Sequence, residues 1–327
     1  MIGKHPLHRV QRGLALVSVL LIVAVTAALA YEVANRHAFG VAVSRATLAA
    51  SQARQYALGG EHFARQLLHE DWEDETTRAK DTLLEHWSTM APFEVDDGSI
   101  ELRIVDLSSR FNLNSVVGRN GAQNAERLKR LFEYSELDPS SVDAWVDWVD
   151  ADGEVQPYGG EDSDHLLRDP PYRTANQSAA DASEIRLAAL FESSEEYARL
   201  EPHVTVLPSG DLAINVNTVT DMVLASMVPN FPVADAQLFA DQVRDFDKIE
   251  DVIATYAPLG ASAGVLQVGS SFFRVQVRAF VGDTPWELTS VLHRNPEDGE
   301  LTVLSRSFGE RLDLPVDEDA AETGMES

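Results

Sequence analysis

The chain has 327 residues and contains no cysteine. This absence excludes disulfide bonds, thiol catalysis, iron–sulfur clusters and cysteine-ligated zinc sites. The sequence also lacks a His-Glu-x-x-His motif and a glycine-rich phosphate-binding loop. Its nine histidines are scattered along the chain, and a lone histidine is a weak sign of catalysis. We therefore expect a protein that is not an enzyme.

Positive charge is scarce as well. The chain has 26 Lys and Arg residues against 53 Asp and Glu residues, which gives a formal net charge of −27. A field of this sign repels nucleic-acid phosphates and attracts basic partners and divalent cations. It also keeps a protein soluble, for example in a saline habitat. We therefore expect no nucleic-acid partner.

The N-terminus departs from this acidic composition. Residues 1–13 carry Lys4, Arg9 and Arg12 and no acid, and residues 14–30 form an uncharged, apolar run. As a helix this run is about 26 Å long, near the short limit for spanning a bilayer. Basic residues before the run and Glu32 after it place the N-terminus in the cytoplasm. The sequence predicts a single inner-membrane span with the bulk of the chain in the periplasm.

Three interpretations of this segment compete: a secretory signal peptide cut after Ala30, a plain membrane anchor, and a prepilin leader cut after Gly13. Small and apolar residues continue past Ala30 at spacings of three and four, as far as about Leu68. A removed signal peptide does not predict this continuity, whereas a long stem helix requires it. We favour the prepilin leader. The alternative is a secreted soluble periplasmic protein that begins at Tyr31.

The rest of the chain predicts an α+β fold. Alternating residues indicate a strand at 99–107, a helical pattern follows, and three further strands close an antiparallel sheet near the C-terminus. We expect a pilin-like long N-terminal helix packed on this sheet, with a large inserted all-helical domain. The predicted divisions are a leader (1–13), a membrane helix (14–30), the remaining stem and first strand (31–111), an inserted helical domain (112–266), C-terminal strands (267–311) and an acidic disordered tail (312–327).

An apolar-Asn-apolar-Asn-Ser/Thr pattern occurs twice, at Phe111–Ser115 and at Ile214–Thr218. Helix-hairpin-helix modules that bind the DNA backbone often begin with a similar run, but they need basic neighbours. The second copy is followed by nine residues without a single base. We therefore interpret the repeat as structural, with Ser115 or Thr218 as a helix N-cap.

Carboxylates are densest between Trp145 and Asp169. Oxygen ligands spaced along a turn suit calcium, which takes six to eight of them. Asp150, Asp152, Glu154 and Glu161 have EF-hand spacing, but Val155 stands where that loop needs glycine. A different calcium loop is therefore one interpretation, and a solvated acidic loop is the other. A calcium-binding role is also compatible with the secreted alternative. The candidate ligands are Asp147, Asp150, Asp152, Glu161, Asp162 and Asp169.

Taken together, these features resemble the K-type minor pseudopilins of type II secretion, the general secretion pathway protein K family. The resemblance covers nearly the whole chain, and its motifs are specific only in combination. They are Arg12-Gly-Leu-Ala-Leu-Val17, Gln52-Ala-Arg-Gln-Tyr-Ala-Leu-Gly59, Asp106-Leu-Ser-Ser-Arg-Phe-Asn-Leu-Asn114, Trp145-Val-Asp-Trp-Val-Asp150, Gly160-Glu-Asp162, Asp169-Pro-Pro-Tyr-Arg173 and Ile214-Asn-Val-Asn-Thr218.

The resemblance implies cleavage after Gly13 by the prepilin peptidase, N-methylation of Leu14, and calcium in the inserted domain. It also implies I- and J-type minor pseudopilins as partners, contact with the inner-membrane secretion platform, and a position at the pseudopilus tip that primes assembly. Most pilin-like proteins carry Glu at the fifth mature position, where Ser18 stands here. The K-type family typically lacks that Glu, so this departure agrees with the resemblance.

Overall fold

The computed structural model describes residues 10–188, 191 and 193–309, with side chains from Ala15 onward. The predicted tail and most of the predicted leader lie outside the described residues.

A single helix of 64 residues, α1 (Val10–Glu73), forms the N-terminal stem. It contains no proline and ends five residues beyond Leu68, the end that the spacing predicted. From Ala15 to Leu48 every described side chain is exposed, and packing begins only at Ala49. Of the described helices, α1 is the one long and apolar enough to cross a membrane. One helix therefore combines an uncovered half, apolar up to Ala30, with a packed amphipathic half.

The packed half of α1 lies against a five-stranded antiparallel sheet. The strands are β1 (Phe93–Val95), β2 (Gly98–Asp106), β7 (Phe272–Val281), β8 (Thr284–Arg294) and β9 (Leu301–Phe308), in the spatial order β1-β2-β7-β8-β9. Strand β2 matches the strand predicted at 99–107 to within one residue, and β7, β8 and β9 are the three strands predicted near the C-terminus, because alternating apolar residues face α1. Strand β1 was not predicted. Strands β2 and β7 are neighbours although 165 residues separate them, so the intervening chain is an insertion between adjacent strands.

The core of this stem–sheet unit is formed by small residues of α1 facing large residues of the sheet. Ala57 and Ala64 are fully buried against a sheet surface that includes Val275 and Val277. A Cβ on Gly60 would lie 2.7 Å from a methyl group of Val277, so a glycine is needed at this close approach. The stem therefore lies unusually near the sheet at this point.

Between β2 and β7 the chain is mainly helical, and it has a second core that runs from Phe111 to Leu266. The helices are α2 (Gly121–Tyr134), α3 (Ser141–Val149), α4 (Asp162–His165), α5 (Ile185–Ala188), α6 (Ser194–Leu200), α7 (Asp221–Met227), α8 (Val233–Ala240) and α9 (Ile249–Thr255). The predicted fold class is confirmed. The exact domain limits at 112 and 266 stay predictions.

The region is not wholly helical. The two copies of the repeat form short strands, β3 (Phe111–Asn112) and β5 (Ile214–Asn215). Each pairs in parallel with a later two-residue strand, β4 (Val204–Thr205) or β6 (Leu266–Gln267). The expected N-caps are wrong, since α2 begins after Asn120 and α7 after Thr220. These strands could not be predicted from the sequence, because two residues are too few to show the apolar–polar alternation of a strand.

The second Asn of each copy makes the same pair of hydrogen bonds. Asn114 donates to the carbonyl of Ala179 at 3.0 Å and accepts from its N–H at 2.9 Å. Asn217 does the same with Phe246, at 3.1 and 2.9 Å. The two halves of the helical region are thus built alike. The Asn and its backbone partner are 65 residues apart in the first half and 29 residues apart in the second. The longer segment of the first half contains the acidic loop.

Candidate metal-binding loop

The acidic segment lies at the end of α3 and in the loop that follows it. Helix α3 places Asp147 in the interior, where it is fully buried, and Asp150 directly after its last residue. The loop then returns to Glu161, which is also buried and precedes α4. Asp152 is exposed between them. Helix and loop therefore bring carboxylates from both ends of the segment toward one place.

Asp147 is the anchor of the loop. Both of its carboxylate oxygens accept from the N–H of Gln156 at 3.1 Å. A Cβ on Gly159 would lie 1.9 Å from an oxygen of Asp147, so only glycine fits at position 159. Burial raises the pKa of Asp147, opposed by the Gln156 N–H and reinforced by the charge of Glu161. The loop backbone is thus wrapped closely around this carboxylate.

Several polar atoms in this loop are buried without a hydrogen-bond partner. They are one carboxylate oxygen each of Asp150 and Glu161, and both ring nitrogens of His165. Burial, then the charges of Asp152, Asp147 and Glu161, raises the pKa of Asp150 to about 6. A buried anionic oxygen without a partner is costly, and a bound cation removes that cost. The donor set is oxygen-rich, which suits calcium better than zinc.

The remaining two predicted ligands are placed differently. Asp162 forms an ion pair with Arg173 at 2.6 Å and accepts two hydrogen bonds from Thr174 at 3.0 Å each. Burial would raise its pKa, but the bonds from Thr174 and the charge of Arg173 lower it. Asp169 is exposed beyond α4. Asp147, Asp150, Asp152 and Glu161 are therefore the coupled group, with Asp162 beside it and Asp169 outside it.

The six predicted carboxylates do not yet converge. Within the part of the chain that the structure describes, three carboxylates with oxygens within 4.8 Å of one another occur at Asp71, Asp81 and Glu85, outside this loop. The ligand set stays a prediction.

Sequence reasoning missed Asp143, which is buried one turn before Asp147. It forms an ion pair with Lys129 at 3.0 Å and accepts from the N–H of Tyr158 at 3.4 Å. Its four-residue spacing from Asp147 puts both on one face of α3, and that spacing was the available signal. Asp143 therefore fastens the acidic loop to α2 through Lys129.

A Gly-x-Ser-x-Gly pattern at Gly260–Gly264 was also missed by sequence reasoning. Its Ser262 is buried in a 3₁₀ segment rather than at a strand-to-helix turn. The hydroxyl donates to the carbonyl of Met227 at 2.7 Å and accepts from Arg127 at 3.4 Å. This serine is therefore a core hydrogen-bonding group, and the pattern gives no support to a hydrolase.

The predicted processing residues lie at the start of α1. Gly13 and Leu14 belong to its first turns, and their side chains are outside the described set. Cleavage after Gly13 and methylation of Leu14 remain predictions.

Comparison with known proteins gives concordant matches. The family model described as type II secretion system (T2SS), protein K, matches residues 109–209. Type II secretion system protein K of Pseudomonas aeruginosa is 35% identical over 319 residues, covering 93% of this chain and 95% of that protein. The protein K of Aeromonas hydrophila is 32% identical, covering 93% of this chain and 99% of its own length.

A solved structure matches in fold. It is the GspK-GspI-GspJ complex from enterotoxigenic Escherichia coli, whose matched chain is 23% identical with a TM-score of 0.65. The match covers 82% of this chain and 99% of that chain. With the sequence identity to curated relatives over nearly the whole length, the chain belongs to the type II secretion system protein K family.

Proposed function

We propose that this minor pseudopilin is anchored in the inner membrane by α1, and that it forms the pseudopilus tip together with I- and J-type minor pseudopilins. The single observation that carries the proposal is α1, which begins with an exposed apolar segment up to Ala30 and ends built into a folded unit. The matched structure of a relative is a complex with those two partners. In this role the protein primes assembly for protein export and performs no chemistry.

The exposed half of α1 is longer than a membrane requires. Residues 14–30 account for the bilayer, yet Tyr31, Phe39 and Leu48 are still 69%, 73% and 68% exposed. The segment from residue 31 to residue 48 adds about 27 Å of helix beyond the hydrocarbon. Apolar side chains outside the membrane are stabilised by burial against other helices. The stems of neighbouring pseudopilins supply that surface.

Ser18 supports a terminal position in the assembly. A carboxylate at the fifth mature position can neutralise the N-terminal amine of a neighbouring subunit inside the apolar fibre core, where an unpaired charge is costly. With Ser18 the chain cannot supply this carboxylate to a neighbour. It is suited to the tip, where no subunit lies above it, rather than to the repeating shaft. Replacing Ser18 by Glu should therefore lower tip occupancy and secretion.

The first experiment determines the N-terminal residue and its mass in protein extracted from membranes, with and without the prepilin peptidase. We expect a chain that begins at Leu14 with one added methyl group, formed only when the peptidase is present. A chain that begins at Tyr31 in the soluble periplasm would overturn the proposal and favour the secreted alternative. Co-purification with I- and J-type pseudopilins from the same membranes then tests the partners.

We also propose that the acidic loop binds calcium through Asp147, Asp150, Asp152 and Glu161. The buried oxygens without partners support this, and the ion would stabilise the loop conformation without taking part in a reaction. Calcium should raise the melting temperature, and chelation should lower it. Glu161→Gln should abolish the calcium effect, while Glu154→Gln, on the exposed side of the same loop, should keep it. Equal calcium responses in both variants would exclude this ligand set.

A further inference from the structure

The helical region meets the stem–sheet unit at a buried, charged junction. Asp106 ends β2, the first connection to the helical region, and Ser270 precedes β7, the second. Both are buried. Asn215 of β5 donates to Asp106 at 2.9 Å and to Ser270 at 3.1 Å, and the hydroxyl of Thr218 also donates to Asp106. One carboxylate therefore fastens the inserted region to the end of the sheet.

Arg294, at the end of β8, is the cation of this junction and is only 4% exposed. Its guanidinium lies 2.6 Å from both oxygens of Asp81 and 3.1 Å from Asp71 at the end of α1. It also donates to the carbonyl of Ser270 at 3.0 Å. Arg294 thus joins the stem helix, the segment after it and the sheet at one point.

Glu85 adds another buried carboxylate. It accepts from the indole N–H of Trp87 at 2.6 Å and from the N–H of Thr82 at 3.0 Å. Its oxygens lie within 4.8 Å of those of Asp71 and Asp81. With Asp106, four carboxylates share this interior with the single guanidinium of Arg294. Burying three excess negative charges is costly in a medium of low dielectric constant.

The surroundings offer little further positive charge. Lys80 is the nearest lysine along the chain, but it is already held between Asp245 and Asp247 of the helical region at 2.6 Å each. A cavity of about 560 Å³ borders Asp71 and Glu85, and its other titratable lining residues are Glu70, Asp74, His86, Lys80 and Asp245. Acids therefore face this junction from α1, from the segment after it and from the helical region.

The excess charge is relieved by protonation. Burial raises the pKa of Asp81 to about 7, opposed by Arg294 and reinforced by Asp106. Burial, then the charge of Asp71, raises the pKa of Glu85 to about 7. Burial also raises the pKa values of Asp71 and Asp106. At mildly acidic pH Asp81 and Glu85 are neutral and can stay buried, whereas above neutrality they are anions that repel each other and the neighbouring carboxylates.

The sign of the stability effect follows from these directions. Each acid has a higher pKa in the folded chain than in the unfolded chain, so the folded state binds more protons between the two values. Its stabilising contribution is fully present below about pH 4, near the unfolded pKa. It is lost as the pH rises through about 7, the folded pKa of Asp81 and Glu85.

We propose that this junction is a pH-dependent hinge between the stem–sheet unit and the helical region. While Asp81 and Glu85 are neutral, Asn215 and Thr218 hold the helical region in one orientation through Asp106, and Arg294 ties the stem helix to the sheet beside them. When Asp81 and Glu85 ionise, repulsion weakens these contacts and the helical region samples several orientations. The position of the helical region at the end of the stem is thereby coupled to the local proton concentration.

The test uses the absence of native cysteine. Cysteines replacing Thr302 on β9 and Leu238 on α8, both exposed, accept spin labels in the full chain in detergent micelles with a chelator present. With a pKa near 7, the ionised fraction rises from about 3% at pH 5.5 to about 97% at pH 8.5. We expect the interlabel distance distribution to become at least about twofold broader over this interval.

Glu85→Gln removes one ionisation and keeps an acceptor for Trp87. It should narrow the distribution at pH 8.5 toward the width at pH 5.5, and Asp81→Asn provides a second variant if Glu85→Gln does not fold. Glu250→Gln, an exposed change on α9, should behave like the parent chain. Equal widths at both pH values in the parent chain, or broadening that persists in both junction variants, would overturn the proposal. Because a chelator is present throughout, the result is independent of the calcium proposal.

Discussion

At the scale of single residues, buried polar side chains determine how the parts of this protein are held together. Glu61 is a charged residue on the face of α1 that packs on the sheet, where it is only 3% exposed. It pairs with Arg306 of β9 at 2.6 Å and accepts from Ser290 of β8. One carboxylate therefore fixes the stem helix to strands β8 and β9. It also sets the position of the helix along these strands.

Replacing Glu61 by Gln should lower the free energy of unfolding by about 1–2 kcal/mol at pH 7, because a charge-assisted hydrogen bond becomes a neutral one. Burial would raise the pKa of Glu61, but the hydrogen bonds from Arg306 and Ser290 outweigh it and lower that pKa. The contribution is therefore present at neutral pH and is lost in acid, as the pH falls through the folded pKa.

Urea unfolding of the full chain in detergent at pH 7 and pH 3 measures this difference. Glu73→Gln, an exposed change on the same helix, is the matched control and should have little effect. A cost for Glu61→Gln that is equal at both pH values would contradict the ionic origin of the contact.

Asp150 connects the proposed calcium site to pH. Its pKa, about 6 without the ion, means that calcium must displace a proton below that pH. Calcium affinity should fall about tenfold between pH 7.5 and pH 5. Isothermal titration calorimetry in buffers of different ionisation enthalpy measures both the affinity and the proton release. Binding that does not change over this interval would remove Asp150 from the ligand set.

At the scale of elements, the sequence predicted the helix and the strands whose apolar residues recur with a regular period. The strands β2, β7, β8 and β9 alternate, and the apolar positions of α1 recur every three or four residues. It could not predict how near α1 lies to the sheet, because this depends on where Gly60 meets Val277. The adjacent Gly59 has nothing within 4 Å of its missing Cβ, although the two glycines look alike in the sequence.

These glycines give a matched pair of substitutions. Gly59→Ala should raise the free energy of unfolding by about 0.5–1 kcal/mol, because alanine is the better helix former and meets no neighbour. Gly60→Ala should lower it by about 1–3 kcal/mol, because the new methyl group overlaps Val277. Thermal unfolding of both variants measures the difference. Similar shifts of the same sign would show that the stem does not lie this near the sheet.

At the scale of the whole molecule, the fold could be predicted further than the sites. The long stem, the sheet and the insertion all leave patterns in the sequence. The repeat that contains Asn114 and Asn217 was interpreted correctly as structural, but its hydrogen-bond partners could not be predicted because they lie 65 and 29 residues away. The Arg294 junction left no sequence signal, since its acids come from three separate elements.

The distribution of burial predicts where the chain can be shortened. No residue before Ala53 is buried among the described side chains, and both cores begin after it. A chain that starts at Thr47 should therefore be folded and water-soluble, with a melting temperature close to that of the full chain in detergent. A chain that starts at His62 loses Ala53, Ala57 and Glu61 and should not fold. Aggregation of the longer fragment would indicate that the part of the stem before Thr47 also contributes to stability.

The pairing of β2 with β7 also fixes the order in which the protein is completed during synthesis. Ile100 faces Ala279 across these strands, so the ribosome must make almost 180 further residues before β2 finds its neighbour. Contacts of such sequence separation form late, whereas the helical region is continuous and can collapse early. Until β7 to β9 emerge, the apolar face of α1 around Ala57 lacks most of the sheet surface that covers it in the folded protein. The nascent chain therefore exposes part of the apolar face of α1 for most of its translation. A chaperone that binds apolar surfaces is most needed during this interval.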